Sequence, residues 1–98
     1  MKYDITNEQI EKMCYDFKAL ADETRIRIIL YLLDGEKSVN DISRAISSSQ
    51  SATSHQLRIL KDYHILKCRK QGTVIFYKIA DKHVENIIKM SIKHLDCE

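Results

Sequence analysis

Apolar residues in the first third of the chain recur with the period of an α-helix. After Thr6, which has Gln9 three positions later as in a capping box, one helical face stays apolar as far as Leu20. Asp22 is placed to cap a second helix through "ETRIRIILYLLDG", which Gly35 closes. The pattern therefore predicts two helices. The apolar face of the first comprises Ile10, Met13, Cys14, Phe17 and Leu20.

A third helix is predicted by "SVNDISRAI", where Ser38 and Asp41 have the spacing of a capping box. The serines at 47–49 end it, because serine hydroxyls compete for backbone hydrogen bonds. A fourth helix then runs from about Gln50 to Asp62. The residues that these two helices present to the core are Val39, Ile42, Ile46, Leu57 and Leu60.

After "YHIL" the apolar period changes from helical to alternating. "KCRKQGTVIFYKI" predicts two strands joined at Gln71-Gly72, because β-branched and aromatic residues crowd its second half. Asp81 then caps a last helix. Four helices, a hairpin and a helix predict a mainly α winged helix-turn-helix fold, as one domain over residues 1–98. The apolar stripe of the last helix comprises Val84, Ile88 and Leu95.

Composition indicates a small globular protein: 98 residues, 44% hydrophobic and 31% charged. The longest apolar run, "IILYLL" at 28–33, is far too short to span a bilayer, and the N-terminus lacks the apolar core of a signal peptide. We therefore expect a cytoplasmic location. A domain of this size has a thin core, so a second copy is a natural source of added stability.

The net charge of +2 conceals a segregation of charge along the chain. From Arg44 to Lys78 there are seven Lys and Arg residues and a single acid, Asp62. We expect this part of the chain to face a polyanion such as DNA. A winged helix that binds only protein is the alternative, and the basic hairpin argues against it.

The start of the fourth helix carries side chains suited to reading DNA bases in the major groove. Arg58 would contact the phosphate backbone, and Arg69, Lys70 and Gln71, at the hairpin tip, would reach the flanking groove. The alternative interpretation is that polar residues at a helix start are only caps and a solvated face. The predicted base-contacting residues are Gln50, Ser51, Thr53, Ser54 and His55.

The final stretch, "DKHVENIIKMSIKHLDCE", carries metal-ligand side chains at both ends of one predicted helix. His83 and His94 lie roughly 16 Å apart along the helix axis and on nearly the same face. One helix cannot close on a single ion. Two antiparallel copies can, because Asp81 and His83 of one chain would then lie beside His94 and Cys97 of the other, and a two-fold axis generates two identical sites.

The segments "LADETRIRIILYLL" and "SVNDISRAISSSQSATSHQLRILKDYHILKCRKQGTVIFYKI" resemble the ArsR/SmtB family of metal-sensing bacterial repressors. A Ser-Gln-Ser-x-x-Ser-His-x-Leu run marks the recognition helix of that family, and here it spans Ser49 to Leu57. The resemblance implies a homodimeric repressor that binds a palindromic operator without metal and releases it when metal binds.

The resemblance to the zinc- and cobalt-sensing branch implies that Asp81, His83 and His94 are metal ligands. Cys97 stands where the branch has an imidazole or a carboxylate, and Glu98 beside it is the open alternative. The implied metal is Zn²⁺, with Co²⁺, Cd²⁺ and Ni²⁺ as alternatives. The resemblance also implies that the backbone carbonyl of His64 accepts a hydrogen bond from His94, which would couple the metal to the recognition helix.

The three cysteines, Cys14, Cys68 and Cys97, form no CxxC pair and are expected to be reduced thiols. Cys14, on the apolar face of the first helix, is expected in the core. The alternative function is a repressor of the same fold that senses oxidants or persulfides through these thiols. An enzyme is not expected, because four metal ligands leave no open coordination position and no catalytic motif occurs.

Overall fold

The computed structural model of this chain describes residues 2–97, and it has the predicted winged helix-turn-helix architecture. Four helices precede a β-hairpin and a fifth helix follows it. The elements are α1 (Asn7–Leu20), α2 (Glu23–Leu32), β1 (Lys37–Ser38), α3 (Val39–Ala45), α4 (Gln50–Asp62), β2 (Leu66–Gln71), β3 (Val74–Ile79) and α5 (Lys82–Leu95).

The helices begin where the local capping signals predict. At α1 the box is complete, since the Gln9 amide donates to Thr6 Oγ1 at 3.1 Å and the Thr6 amide donates to Gln9 Oε1 at 2.9 Å. At α3 only half of the predicted box forms: Ser38 Oγ accepts from the Asp41 amide, whereas the Asp41 carboxylate pairs with Arg44. The other side chains that cap helix N-termini are Asp22, Ser49 and Asp81.

The hairpin belongs to a three-stranded antiparallel sheet in the order β1-β3-β2. The two-residue strand β1 was not predicted, because it is too short to show an alternating period. Gln71 pairs with Val74, so the turn is Gly72-Thr73, one residue later than predicted. Gly72 has φ +63°, a left-handed conformation that glycine adopts without steric cost.

The core forms where α2, α3 and α4 meet the sheet. Ile28, Ile42 and Leu57, from these three helices, are fully buried, which is how the helix-turn-helix is held against α2. Val84 and Ile88 attach α5 to the same core, as predicted, whereas Leu95 is 71% exposed. No helix within residues 2–97 is long and apolar enough to cross a bilayer.

The first helix departs from the prediction, because most of its apolar face is not covered. Leu20 is buried, whereas Met13 and Phe17 are each 50% exposed. Cys14 is also exposed, so its expected place in the core was wrong. Periodicity identified the apolar face of α1 correctly, but residues 2–97 bury that face only at Leu20.

Candidate DNA and metal interfaces

The first two turns of α4 form a polar, exposed surface. Ser49 caps the helix by accepting from the Ala52 amide at 3.1 Å, and α3 packs against α4 from behind. A helix N-terminus of this kind also favours a phosphate. The predicted contact residues that are exposed or half-buried here are Gln50, Ser51, Ser54, His55 and Arg58.

Thr53, predicted to contact DNA, is fully buried, and that prediction was wrong. Leu57 and Leu60 lie four and seven positions later, so Thr53 shares their inward face. The same spacing in the sequence could have revealed this. Its Oγ1 has no hydrogen-bond partner among the described residues.

On the wing, only two of the three predicted residues flank the tip closely. Lys70 and Gln71 are the last residues of β2 before the turn, whereas Arg69 pairs with Phe76 further back. The Arg69 guanidinium binds Glu36, with Nη2 2.7 Å from Oε1. Lys70 makes no side-chain hydrogen bond or ion pair with any residue in the range 2–97, so its charge is available to a ligand.

On α5, three of the four predicted metal ligands share a face with two apolar residues. Successive separations of four, three, four and three positions are those of a coiled-coil seam. All five residues of this stripe, which we call the α5 seam, are exposed, with Ile87 at 40% and Met90 at 65%. Its members are His83, Ile87, Met90, His94 and Cys97.

The four seam residues from His83 to His94 are spaced symmetrically about the point midway between Ile88 and Lys89. In an antiparallel pair of α5 helices whose axis passes midway between Ile88 and Lys89, His83 lies opposite His94 and Ile87 lies opposite Met90. The exposed apolar pair thus occupies the centre of the seam. The ligand side chains occupy its two ends.

Asp81 and Cys97 have local partners that still permit metal binding. Asp81 Oδ1 accepts from the amides of His83 at 2.9 Å and Val84 at 3.3 Å as the N-cap, which leaves Oδ2 for a ligand. Cys97 Sγ lies 3.6 Å from the Lys93 carbonyl oxygen. Glu98, the alternative fourth ligand, lies outside the described residues.

Within residues 2–97 of one chain, no three His, Cys, Asp or Glu side chains come together as a metal site. The predicted ligands lie at the two ends of one helix, so they would form a site only together with a second chain. One carboxylate, two imidazoles and one thiolate form a donor set that suits tetrahedral Zn²⁺.

Arg25 connects the recognition helix to α1, and sequence reasoning missed it. Its Nε donates to Gln56 Oε1 on α4 at 3.0 Å, and its Nη1 lies 3.5 Å from the Ala19 carbonyl oxygen at the end of α1. No sequence pattern relates residues that lie 31 positions apart. Such a contact becomes visible only in the folded chain.

An apolar groove of about 480 Å³ separates α1, α2 and α5. It joins the exposed face of α1 to the side of α5 next to the seam. Its larger apolar lining residues are Phe17, Leu20, Ile26, Leu30, Ile87, Ile88, Ile92 and Leu95.

Comparison with known proteins identifies the relatives of this fold. The family model described as "Bacterial regulatory protein, arsR family" matches residues 22–67. The "Cadmium resistance transcriptional regulatory protein CadC homolog" of Staphylococcus aureus is 37% identical over 94 residues, which are 95% of this chain and 78% of that protein. The chain belongs to the arsR family. The family resemblance expected from the sequence is thereby confirmed, and arsR proteins are transcriptional regulators.

Other similar proteins extend the comparison. The "Transcriptional repressor SmtB homolog" of Synechocystis is 40% identical over 88 residues, 90% of this chain and 67% of that protein. The crystal structure of the AntR antimony-specific transcriptional repressor superimposes with a TM-score of 0.89 at 30% identity, covering 96% of this chain and 86% of that one. The solution NMR structure of a homodimeric winged helix-turn-helix DNA-binding domain from Mycobacterium bovis superimposes with a TM-score of 0.81 at 28% identity. The match covers 89% of this chain and 81% of that one.

Proposed function

We propose that this arsR protein is a cytoplasmic, metal-responsive repressor: a homodimer that binds operator DNA without metal and releases it when metal binds between the two α5 helices. The α5 seam carries the proposal. His83 lies at one end of the seam, with Asp81 two positions before it, and His94 and Cys97 lie at the other end, so antiparallel copies would complete two identical sites.

The exposed apolar surface supports a second copy as the partner. Met13, Phe17 and Met90 are at least half exposed, and Phe17 also lines the groove between α1, α2 and α5. Burying such a region stabilises a dimer by roughly 25 cal/mol per Å² of apolar area removed from water. A structurally similar domain from Mycobacterium bovis is homodimeric.

The exposed start of α4 supports DNA as the ligand of the surface that α4 forms with the wing. Gln50, Ser51, Ser54 and His55 would face base edges, whereas Arg58 would contact a phosphate. Lys70 and Gln71 on the wing would reach the flanking groove. Two recognition helices related by a dimer axis would then read successive major grooves of a palindrome.

Zn²⁺ is the metal that we propose, with Asp81, His83, His94 and Cys97 as ligands. Co²⁺ and Ni²⁺ are alternatives because they also bind imidazole, and the thiolate in the site additionally favours a softer ion such as Cd²⁺. The names of two relatives refer to cadmium and antimony. Coordination requires the Cys97 thiolate, so the Sγ proton now directed at the Lys93 carbonyl would be lost on binding.

Metal and DNA would act on each other through the relative placement of the two protomers. Metal bound across the α5 seam favours one arrangement of the dimer, and DNA favours another, so each ligand weakens the other by the same factor. The Arg25 bridge between α1 and Gln56 would transmit a shift of the dimer helices to α4. The hydrogen bond from His94 to the His64 carbonyl remains a second proposed route.

The test measures operator affinity with and without Zn²⁺. A duplex selected from a random pool by the metal-free protein serves as the operator, and fluorescence anisotropy reports binding. Zn²⁺ is expected to weaken the wild-type complex by about 5- to 150-fold, the usual range of allosteric coupling. Cys14→Ser, which removes a thiol outside the site, should respond as wild type does. His94→Ala should not respond, and an equal response from that variant would contradict the assignment.

A thiol-sensing repressor is a second candidate, favoured by one observation: Cys14 is exposed on α1 instead of buried. Peroxide treatment, followed by titration of free thiols and measurement of operator binding, tests it. Loss of binding in wild type but not in Cys14→Ser would support this candidate. Unchanged binding after complete loss of free thiols would exclude it.

A further inference from the structure

The guanidinium of Arg69 is held on several sides. Its Nε lies 3.1 and 3.0 Å from the two carboxylate oxygens of Glu36, and its Nη2 lies 2.7 Å from Oε1. Its Nη1 donates to Gln71 Oε1 at 2.9 Å, and its central carbon lies 4.6 Å from the centre of the Phe76 ring. An arginine that is both forked onto a carboxylate and stacked on a ring is fixed in orientation.

This ion pair connects two distant parts of the chain. Glu36 precedes Arg69 by 33 positions, so the pair ties the segment before β1 to the wing. Every other ion pair between side chains of residues 2–97 joins positions at most four apart. Isolated surface ion pairs usually contribute little, but bidentate geometry is the recognised exception.

Glu36 is also the single acid in a basic cluster. It lines a shallow cavity on the wing together with Lys67, Arg69 and Lys78. The hydrogen bonds from Arg69, with electrostatic contributions from Arg69 and Lys78, hold the pKa of Glu36 below its usual range. Glu36 therefore carries its charge at neutral pH and offsets one cation of the cluster.

We propose that Glu36 withholds Arg69 from DNA phosphates, so that Arg69 braces the wing while Lys70 serves as the wing's phosphate contact. This inference rests on the proposed DNA binding, and it replaces the expectation that Arg69 itself reaches the flanking groove. Arg69 is a positioning residue in this account. Its charge is already matched by a fixed carboxylate, whereas the charge of Lys70 has no partner within residues 2–97.

The salt dependence of DNA binding distinguishes the two roles. Each phosphate neutralised by a side chain adds about 0.9 to the slope of log affinity against log salt concentration. With a mixed-sequence duplex of about 30 base pairs, Lys70→Gln should reduce the slope by about one for each wing that contacts DNA. Arg69→Gln should leave the slope unchanged. Glu36→Gln should steepen it by about one for each wing, because the released Arg69 can then contact a phosphate.

A double variant provides the matched control. Glu36→Gln should have no effect on the slope in the Arg69→Gln background, because no arginine remains to be released. Glu36→Gln removes the negative charge that holds Arg69 but keeps the size and polarity of the side chain, so the local fold should be preserved, and circular dichroism checks this.

Two results would overturn the inference: an Arg69→Gln slope reduced as much as that of Lys70→Gln, or a Glu36→Gln slope equal to that of wild type. Both leave the proposed function standing when wild type binds the duplex with a steep slope. If wild type itself shows no salt-dependent binding, the DNA-binding function fails as well.

Discussion

At the scale of single residues, side chains for which the sequence pattern predicts the same environment differ in burial. Thr53 and Ser54 are adjacent hydroxyl residues in α4, but Thr53 faces the core, whereas Ser54 is half-buried and faces the proposed DNA-binding surface. Cys14 shows the reverse, since it lies on the apolar face of α1 and is nevertheless exposed. Periodicity identifies a face. Only the packed chain shows whether anything covers that face.

Thr53 leads to a prediction about stability. A buried hydroxyl without a hydrogen bond retains the cost of leaving water, so Thr53→Val, of similar shape, should stabilise the fold by about 1 kcal/mol. Urea unfolding at equal protein concentrations measures the change, and Thr73→Val on the exposed turn is the control. A Thr53→Val midpoint equal to or below that of wild type would contradict this prediction.

At the scale of elements, the sequence predicted helices more accurately than strands. The caps of α1, α2, α4 and α5 lie within a few residues of the groups they satisfy, so local sequence contains the whole signal. Strand β1 exists only because Lys37 and Ser38 pair with Tyr77 and Phe76. A long-range pairing of two residues leaves no local pattern to detect.

The α5 seam yields a prediction about assembly. Met90→Glu places a charge at its centre, opposite an apolar residue, and should raise the dimer dissociation constant by about 100-fold or more, because apolar burial is lost in both protomers. Lys89→Glu, at the neighbouring position but on the other side of α5, should change the dimer dissociation constant little. Sedimentation equilibrium measures both. Equal dissociation constants for Met90→Glu and wild type would contradict the assignment of the seam as the dimer contact.

At the scale of the whole molecule, the two proposed interfaces lie on different elements. The basic segment that charge counting singled out forms α4 and the wing, whereas the uncovered apolar residues belong chiefly to α1 and α5. The sequence predicted this division. It could not reveal the contacts that connect the two parts, such as Arg25 with Gln56, since they arise from chain segments brought together by folding.

The central claim is that each metal site takes two ligands from each protomer, and complementation between variants tests it directly. One variant carries Asp81→Ala and His83→Ala, and the other carries His94→Ala and Cys97→Ser. Neither homodimer should show the intense visible absorption of tetrahedral Co²⁺. The heterodimer, purified through two different affinity tags, should regain one such site with a sulfur charge-transfer band, because one chain supplies His94 and Cys97 and the other supplies Asp81 and His83. A heterodimer that binds Co²⁺ no better than the two homodimers would contradict the shared site.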